Sequence, residues 1–326
     1  MEATTILLFC FTLFFILITS AAVLDTLSAT ENRTIVDGDV IESVGGVFQM
    51  GFFSPGISNY RYLGIWYKKT GPVTVLWAAN RENPLTDLSG VLKIDNRGAL
   101  LLMNARNTII WSTKPGQVKN PVAQLLESGN LVVRDENNTN SDGYLWQSFD
   151  HPGDALLPGM KLGWDLVKGH ERKLTSWRSD NDPSPGKYSL SISLDGYPQL
   201  VLQSGSVLKY RLGSWDGMPF NSMSTSTQSK DLTDKFVMNQ NEKYYNYGVW
   251  NRFIIMRMLL TPSGSLQVLM WIDEEKNWEI YFTAHDDACN SYALCGAYGS
   301  CDSRGCQCLK GFVPKFSKSW RAGDTS

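Results

Sequence analysis

Five cysteines stand between Cys289 and Cys308 in the pattern C-x5-C-x5-C-x4-C-x-C, whereas the 266 residues Val23–Ala288 contain none. Closely spaced thiols can either form disulfides or bind a metal ion. Zinc modules favour paired C-x2-C knuckles in a reducing compartment, and this spacing contains none. We therefore expect a small, loop-rich, disulfide-stabilised module and no metal site. Because the count is odd, one cysteine of the cluster must lack a partner within it.

The polar residues outside the cysteine cluster do not form a recognisable catalytic motif. The acidic run Asp273-Glu274-Glu275 could serve a glycosidase, but it occupies a polar hairpin turn between Trp271 and Trp278, where a solvated turn is the simpler interpretation. No G-x-S-x-G motif and no glycine-rich phosphate loop occur, and no nucleophile motif accompanies the three histidines, His151, His170 and His285. We expect no catalytic residue, no cofactor and no kinase in this chain.

The N-terminus indicates export. Cys10 lies within Ile6–Ile18, thirteen residues whose only polar member is Thr12, and small side chains follow up to Ala22. This pattern predicts a signal peptide over residues 1–22. The alternative, a membrane anchor, is disfavoured because thirteen residues are too few to span roughly 30 Å of hydrocarbon. Two sequons fit the secretory route and predict glycosylation at Asn32 and Asn137.

Composition limits the remaining classes. The formal charge of −2 provides no attraction for nucleic acid or for an acidic membrane. With 43% hydrophobic and 19% charged residues, the chain can build the cores of about two domains. No later segment is apolar for 18 residues, so we expect an extracellular, secreted chain without a membrane span.

Short β-type runs separated by Gly, Pro, Asn and Asp fill residues 25–284, which predicts an all-β fold. Val91–Met103 aligns with Val122–Arg134 at an offset of 31 residues, and Thr261–Leu269 is a weaker third copy. In each copy a glycine turn joins two strands and a tryptophan follows, namely Trp111, Trp146 and Trp278. We expect the three hairpins to pack their indoles around a shared centre.

Several motifs then resemble one family. They are GGVFQMGFF at 45–53, YLGIWY at 62–67, WAANRENP at 77–84, LWQSFDHP at 145–152, LLPGMKLGW at 156–164, LTSWRS at 174–179, YRLGSWDG at 210–217 and CNSYALCGAYGSC at 289–301. In this order they resemble the ectodomain of plant S-locus glycoproteins and bulb-type (G-type) lectin S-receptor-like serine/threonine kinases. The resemblance covers nearly the whole mature chain.

The resemblance implies two bulb-lectin-like β-prism modules followed by an EGF-like module. It gives a bulb-type lectin domain at 23–152, a second lectin-like module at 153–284 with the S-locus glycoprotein domain from about 205, and an incomplete EGF-like module at 285–326. Full-length relatives would add a PAN module, a membrane span in the plasma membrane and a kinase. The implied disulfides are Cys289–Cys301 and Cys295–Cys306, which leaves Cys308 for a cysteine beyond Ser326. The calcium pattern of such modules is incomplete at residues 285–288.

The family's sugar site can be compared position by position. Bulb-type lectins hold mannose with a Q-x-D-x-N-x-V-x-Y strand. The first copy has Asp95, Arg97, Ala99, Leu101 and Met103 at these positions, the second Leu126, Ser128, Asn130, Val132 and Arg134, and the third Thr261, Ser263, Ser265, Gln267 and Leu269. Only Asn130 and Val132 keep the motif. We therefore interpret the lectin fold as a scaffold with degenerate sugar sites.

Recognition of a protein or glycan ligand is the function that remains, in pollen recognition or defence-type signalling. The irregular stretch Gly217–Lys230 is a candidate binding loop or a plain disordered insertion. A receptor homodimer or heterodimer is a further expectation from the family. The alternatives are a free mannose-binding lectin and a receptor fragment without function, the latter favoured by the unpaired Cys308.

Overall fold

Two sets of twelve β-strands follow each other along the chain, each set folded into three antiparallel sheets. The computed structural model describes residues 24–71, 73–196, 198–214, 232–251, 253–284, 294–302, 305–316 and 320. The predicted signal peptide and the stretch Gly217–Lys230 lie outside these residues. The all-β prediction is confirmed, since the helical segments with assigned bounds in the described part of the chain are two single 3-10 turns, Ser141–Gly143 and Ser148–Asp150.

The first set forms the first prism. Its strands are β1 (Thr26–Ser28), β2 (Thr34–Val36), β3 (Val40–Glu42), β4 (Phe48–Phe53), β5 (Tyr62–Tyr67), β6 (Thr74–Ala78), β7 (Val91–Ile94), β8 (Leu100–Met103), β9 (Ile109–Ser112), β10 (Pro121–Leu125), β11 (Leu131–Asp135) and β12 (Trp146–Gln147). The three sheets have the orders β3-β4-β5-β6, β2-β7-β8-β9 and β1-β10-β11-β12. Each later hairpin thus takes one strand from the N-terminal segment, which links the three sheets.

The second set forms the second prism. Its strands are β13 (Ala155–Leu156), β14 (Leu162–Asp165), β15 (His170–Arg172), β16 (Leu174–Ser179), β17 (Asp182–Ser193), β18 (Gln199–Ser204), β19 (Val207–Ser214), β20 (Leu232–Met238), β21 (Glu242–Val249), β22 (Met256–Leu260), β23 (Leu266–Ile272) and β24 (Asn277–Ala284). The sheet orders are β16-β17-β18-β19, β15-β14-β21-β20 and β13-β22-β23-β24. Only the middle order departs from the first prism, because β14 lies between β15 and β21.

Alternating burial explains why these segments are strands. On β7 the pattern is alternately half-buried and buried, and Leu92 and Ile94 face the core. Strand β5 is buried at every position because it is a central strand of its sheet and the second prism covers its other face in part. One hydrophobic cluster contains Leu63 and Leu131 of the first prism together with Leu162 and Met258 of the second. The core therefore continues from one prism into the other.

The glycine turns of the three repeated hairpins are confirmed. Gly98, Gly129 and Gly264 have φ angles of 76°, 81° and 87°, in the left-handed region that favours glycine. They join β7 to β8, β10 to β11 and β22 to β23. A short antiparallel pair, β25 (Gly299–Asp302) and β26 (Gly305–Cys308), follows the second prism.

Candidate functional site

In the second copy of the sugar strand, the side chain of Asn130 makes hydrogen bonds within the protein. Asn130 Nδ2 donates to Gln147 Oε1 at 2.9 Å, and Asn130 Oδ1 accepts from Ser148 Oγ and from the Phe149 backbone N–H, both at 3.2 Å. Asn130 is 5% exposed and Val132 is fully buried. A sugar hydroxyl at this strand would have to break bonds that already satisfy the Asn130 amide. Asn130 and Val132, the two residues that keep the motif, therefore attach β11 to the segment at the end of the first prism.

In the first and third copies, the first polar side chain accepts hydrogen bonds from the backbone of its own hairpin turn. Asp95 Oδ1 accepts from the backbone N–H groups of Arg97 and Ala99 at 2.9 and 2.8 Å. Thr261 Oγ1 accepts from the Ser265 N–H at 3.0 Å. In both copies the first polar side chain of the pattern stabilises the hairpin turn, so it is not directed at a ligand.

The indoles at the centre of the first prism come from the last strand of each of its sheets. Trp77 on β6, Trp111 on β9 and Trp146 on β12 contact one another edge to face, with ring centroids 5.8 to 5.9 Å apart. The expectation that Trp278 shares this centre is wrong. Trp278 lies on β24 of the second prism, where it pairs with Trp271 at 5.6 Å. The sequence repeat identified similar hairpins without specifying which three share a prism.

A cleft of about 900 Å³ opens beside this cluster where the first prism passes into the second, and we call it the junction cleft. Half-buried Trp111 and Trp146 form its apolar wall. The exposed imidazole of His151 stacks on Trp146 with a centroid distance of 5.6 Å, and His170 meets His151 edge to face at 5.2 Å. Indole and imidazole faces of this kind suit an aromatic or cationic side chain of a partner.

Charged groups fix the imidazole end of the junction cleft. His170 Nε2 donates to the Asp150 carbonyl at 2.6 Å, and the buried guanidinium of Arg172 bonds to Asp150 Oδ1. Desolvation of the Asp150 carboxylate opposes the nearby Arg172 charge and its hydrogen bonds, and the net pKa of Asp150 is lowered. Partial burial, with His170 beside it, lowers the pKa of His151.

Side chains of each prism donate hydrogen bonds to the other prism. We call the surface on which these bonds lie the inter-prism interface. Arg81 of the first prism donates to the carbonyls of Pro183, Thr175 and Ser176 at 2.7, 3.0 and 3.1 Å. Trp278 Nε1 of the second prism donates to Thr74 Oγ1 at 3.0 Å. These directional bonds fix the two prisms in one relative orientation.

A buried carboxylate lies between two guanidinium groups at this interface. Asp154 is 6% exposed, and Arg81 and Arg257 provide the nearby positive charge. Burial raises the pKa of Asp154 to about 6 against the opposing effect of both arginines. Burial also lowers the pKa of Arg257, whose guanidinium packs 4.9 Å from the Trp278 ring. An arginine nevertheless keeps its charge in proteins, so Asp154 faces two cations.

The cysteine cluster contains one described disulfide. Cys295 is bonded to Cys306, the pair that the EGF-like resemblance implies, and Cys301 is also disulfide-bonded. Cys289 lies outside the described residues, and Cys308 carries a free thiol. The sulfurs of Cys295, Cys301 and Cys306 lie within 4.8 Å of one another, but bonded cysteines do not supply the thiolates that a metal needs.

The two sequon asparagines are exposed turn residues. Asn32 has a φ of 49° in the turn before β2, and Asn137 follows β11 with its backbone N–H bonded to Asp135. Both positions give a glycan free access to water.

Within the part of the chain that the structure describes, no helix is long and apolar enough to cross a membrane. The acidic run at 273–275 lies in the turn between β23 and β24, where Asp273 bonds to Lys276 and to Trp271.

These two prisms define an all-β, lectin-type class of protein, and comparisons with known proteins agree. Residues 74–178 match the D-mannose binding lectin family, and residues 210–316 match the S-locus glycoprotein domain. The S-locus-specific glycoprotein S6 of Brassica oleracea is 39% identical over 316 residues, which cover 94% of this chain and 72% of that protein. The S-locus-specific glycoprotein BS29-2 of Brassica oleracea var. alboglabra is 38% identical, with coverages of 91% and 70%.

The chain belongs to the family of S-locus glycoproteins and lectin-type receptor ectodomains. Receptor-like serine/threonine-protein kinase SD1-8 of Arabidopsis thaliana is 40% identical over 308 residues, 93% of this chain. The chain spans only 36% of the length of that relative. The part of that relative that the chain matches is the ectodomain and not the kinase.

Sequence reasoning missed the residues that hold the prisms together. Arg81 was named only as part of the family motif at 77–84, and Asp154 and Arg257 were not singled out. Only Asp154 offered a usable signal, because it directly precedes the apolar run Ala155-Leu156-Leu157, which the structure buries. Arg81 lies 94 to 102 positions from the residues it bonds, and Arg257 lies 182 positions from Val75, and no local pattern identifies such pairs.

Proposed function

We propose that this chain is an extracellular recognition module that binds a protein or glycan ligand through loops and clefts on a rigid two-prism scaffold. The observation that carries the proposal is the inter-prism interface, in which Arg81 and Trp278 bond across the two prisms. A fixed scaffold lowers the entropy that is lost when surface loops bind a partner. In full-length relatives, ligand binding would draw two ectodomains together and bring their kinases into contact.

The binding surface that we favour among the described residues is the junction cleft. Half-buried tryptophans such as Trp111 and Trp146 are the side-chain type that most often dominates binding energy at protein interfaces. The exposed Lys114 and Lys168 lie at its margin, and Asp150 stands within it. A partner side chain could therefore insert between the indoles and be oriented by charges of both signs.

A free mannose-binding lectin is the second candidate, because residues 74–178 match the D-mannose binding lectin family. The internal bonds of Asn130 argue against it. A glycan array with the purified secreted chain separates the two functions. We expect no mannose-specific signal and an unchanged array for Asn130→Ala, with a mannose-specific bulb lectin as positive control. A specific mannose signal that Asn130→Ala removes would establish the lectin and contradict our proposal.

The extracellular location can be tested on the same material. Expression in plant cells should give a secreted product without residues 1–22 and with glycans at Asn32 and Asn137. Asn32→Gln and Asn137→Gln should each remove one glycosidase-sensitive step in mobility, and the double variant should remove both. Retention of residues 1–22 in a membrane fraction would favour an anchor, and unchanged mobility of the double variant would show that neither sequon is used.

A further inference from the structure

The two ends of the junction cleft differ in charge, and this difference restricts what the cleft can bind. At the imidazole end, burial and then His170 lower the pKa of His151. The cations Arg172 and Lys114 lower this pKa further, and Asp150 alone raises it. The surroundings of the exposed His151 imidazole are therefore predominantly cationic.

Asp150, the carboxylate that lines this end, is already bonded within the protein. Its Oδ1 accepts from Arg172 Nε, and its Oδ2 accepts from Gln147 Nε2 at 3.1 Å. Arg172 is buried, so a cationic side chain of a partner that took Asp150 for itself would leave a buried guanidinium with a weakened ion pair. Asp150 therefore balances Arg172 and does not attract a cationic ligand.

Two lysine ammonium groups at the same end are accessible to a partner. Lys114 lies two residues beyond β9, is exposed, and belongs to none of the ion pairs among the described residues. Lys168 lies in the turn that leads to His170, and its side chain is 72% exposed. Its Nζ is 3.9 Å from Asp165, a contact that contributes little at an exposed position. The accessible charge at the imidazole end is thus positive.

The other carboxylate of the cleft lies at the opposite end. Burial lowers the pKa of Arg81, and Asp154 and the exposed Glu82 oppose that effect. Glu82 is not among the groups that shift the pKa of His151. It therefore does not neutralise the two lysines.

The aromatic wall lies between these ends. Trp146 is covered on one face by His151 at an interplanar angle of 13°, and Trp111 meets Trp146 at 73°. A flat ring packs well against such offset and edge-to-face surfaces. A lysine or arginine side chain would also stack on them, but it would then stand beside Lys114 and Lys168, and like charges oppose that arrangement. The wall and its margin together fit an aromatic ring that has a carboxylate next to it.

We propose that the junction cleft binds an acidic, aromatic peptide segment of a protein partner. An aromatic ring of that segment packs against Trp111, Trp146 and His151, and a neighbouring carboxylate pairs with Lys114 and Lys168. This specificity rests on the proposed recognition function of the same cleft and defines the chemistry of the ligand.

The test uses the purified chain and short fluorescent synthetic peptides, measured by fluorescence anisotropy and calorimetry. One set places an aromatic residue between glutamates, a second has lysines in place of the glutamates, and a third has serine in place of the aromatic residue. We expect saturable binding of the first set, about tenfold or more tighter than either of the others, which corresponds to about 1.4 kcal/mol. Added salt should weaken this binding because the lysines are exposed.

Charge reversal tests the site itself. The double variant Lys114→Glu with Lys168→Glu changes exposed groups only and should weaken binding of the acidic set by about tenfold or more. Lys209→Glu is the matched control, since Lys209 is an exposed lysine of β19 that does not line the cleft, and it should leave binding unchanged. Trp111→Leu should weaken binding from the wall, and it is accepted only if circular dichroism shows the native fold.

Equal binding of the three peptide sets, or an unchanged affinity of the double variant, would overturn the proposal. Binding of a polyuronate but of no acidic peptide would also overturn it, in favour of an acidic glycan. Selection of random displayed peptides on the unmodified chain separates this inference from the recognition function. Ligands that Trp111→Leu removes but that lack an acidic bias would contradict only the inference, and a selection without any ligand sensitive to Trp111→Leu would contradict both.

Discussion

The hydroxyl of Tyr67, on the last residue of β5, donates at 3.0 Å to the carbonyl of Met256, the first residue of β22. The two residues belong to different prisms, are 189 positions apart in the chain, and are both buried. Burial raises the pKa of Tyr67 well above its ordinary value, so the hydroxyl keeps its proton and remains a donor. A central strand of one prism is thereby bonded to a central strand of the other prism.

Tyr67→Phe should lower the free energy of unfolding by about 1 to 3 kcal/mol, because the buried Met256 carbonyl loses its donor. Urea denaturation followed by tryptophan fluorescence measures the change. Tyr60→Phe is the matched control, since Tyr60 is 50% exposed, and it should change stability by less than about 0.5 kcal/mol. Equal stabilities of the two variants would show that the bond across the interface contributes nothing.

Arg81→Ala should be more damaging, with a loss of about 3 kcal/mol or more. It leaves the carbonyls of Pro183, Thr175 and Ser176 without their donor and removes a cation beside Asp154. Arg81→Lys should recover only part of the loss because an ammonium cannot reproduce the planar fork. Thermal and urea unfolding measure both variants, with Arg106→Ala at an exposed position as control. A full recovery by lysine would mean that charge alone matters at this site.

Asp154 should make stability depend on pH in a defined direction. The pKa of Asp154 is about 6 in the folded chain and near 3.8 when unfolded, so the folded state binds the proton more tightly. Its contribution is fully present below pH 3.8 and is lost as the pH rises through 6. The difference amounts to about 3 kcal/mol.

Asp154→Asn cannot titrate, so the free energy of unfolding of the unmodified chain should decline relative to this variant between about pH 4 and pH 7. Urea denaturation across this range measures both curves, and every other titrating group is common to the two proteins. Parallel curves would show that Asp154 is not buried as a strongly perturbed carboxyl.

The indole cluster predicts a spectroscopic change. Trp146→Ala removes one of three edge-to-face rings and should lower stability by about 2 kcal/mol, less than a fully buried tryptophan because the ring is half-buried. The near-ultraviolet circular dichroism of the remaining pair should fall with it. Trp250→Ala is the control, because Trp250 is 74% exposed and should change neither quantity. A loss of signal for Trp250→Ala equal to that for Trp146→Ala would contradict the assignment of the signal to the cluster.

The sequence was sufficient for the fold class and for the hairpins, because period-two alternation and left-handed glycines such as Gly98 and Gly129 are local properties. It was not sufficient for the grouping of the hairpins. Trp77 takes the place that was expected for Trp278, because membership of a prism is decided by which strands close a sheet. That decision depends on contacts between distant segments.

The candidate site was predictable in part. Position-by-position reading identified Asn130 and Val132 as the remaining sugar-motif residues, and the structure shows why Asn130 can be retained without a sugar, since it bonds Gln147 and Ser148. The junction cleft was not predictable. It combines side chains from both prisms, such as Trp111 with His170, and neither prism alone contains the site.

The central claim is that the two prisms form one rigid scaffold, and native-state hydrogen exchange followed by mass spectrometry tests it most directly. Increasing urea concentrations are applied below the unfolding transition, and peptides from β5 and from β22 are compared. The account predicts that both sets of amides exchange through the same global opening, with free energies that agree within about 1 kcal/mol, and that Arg81→Ala lowers both together. Exchange of one prism at a much lower free energy, with the other still protected, would contradict it.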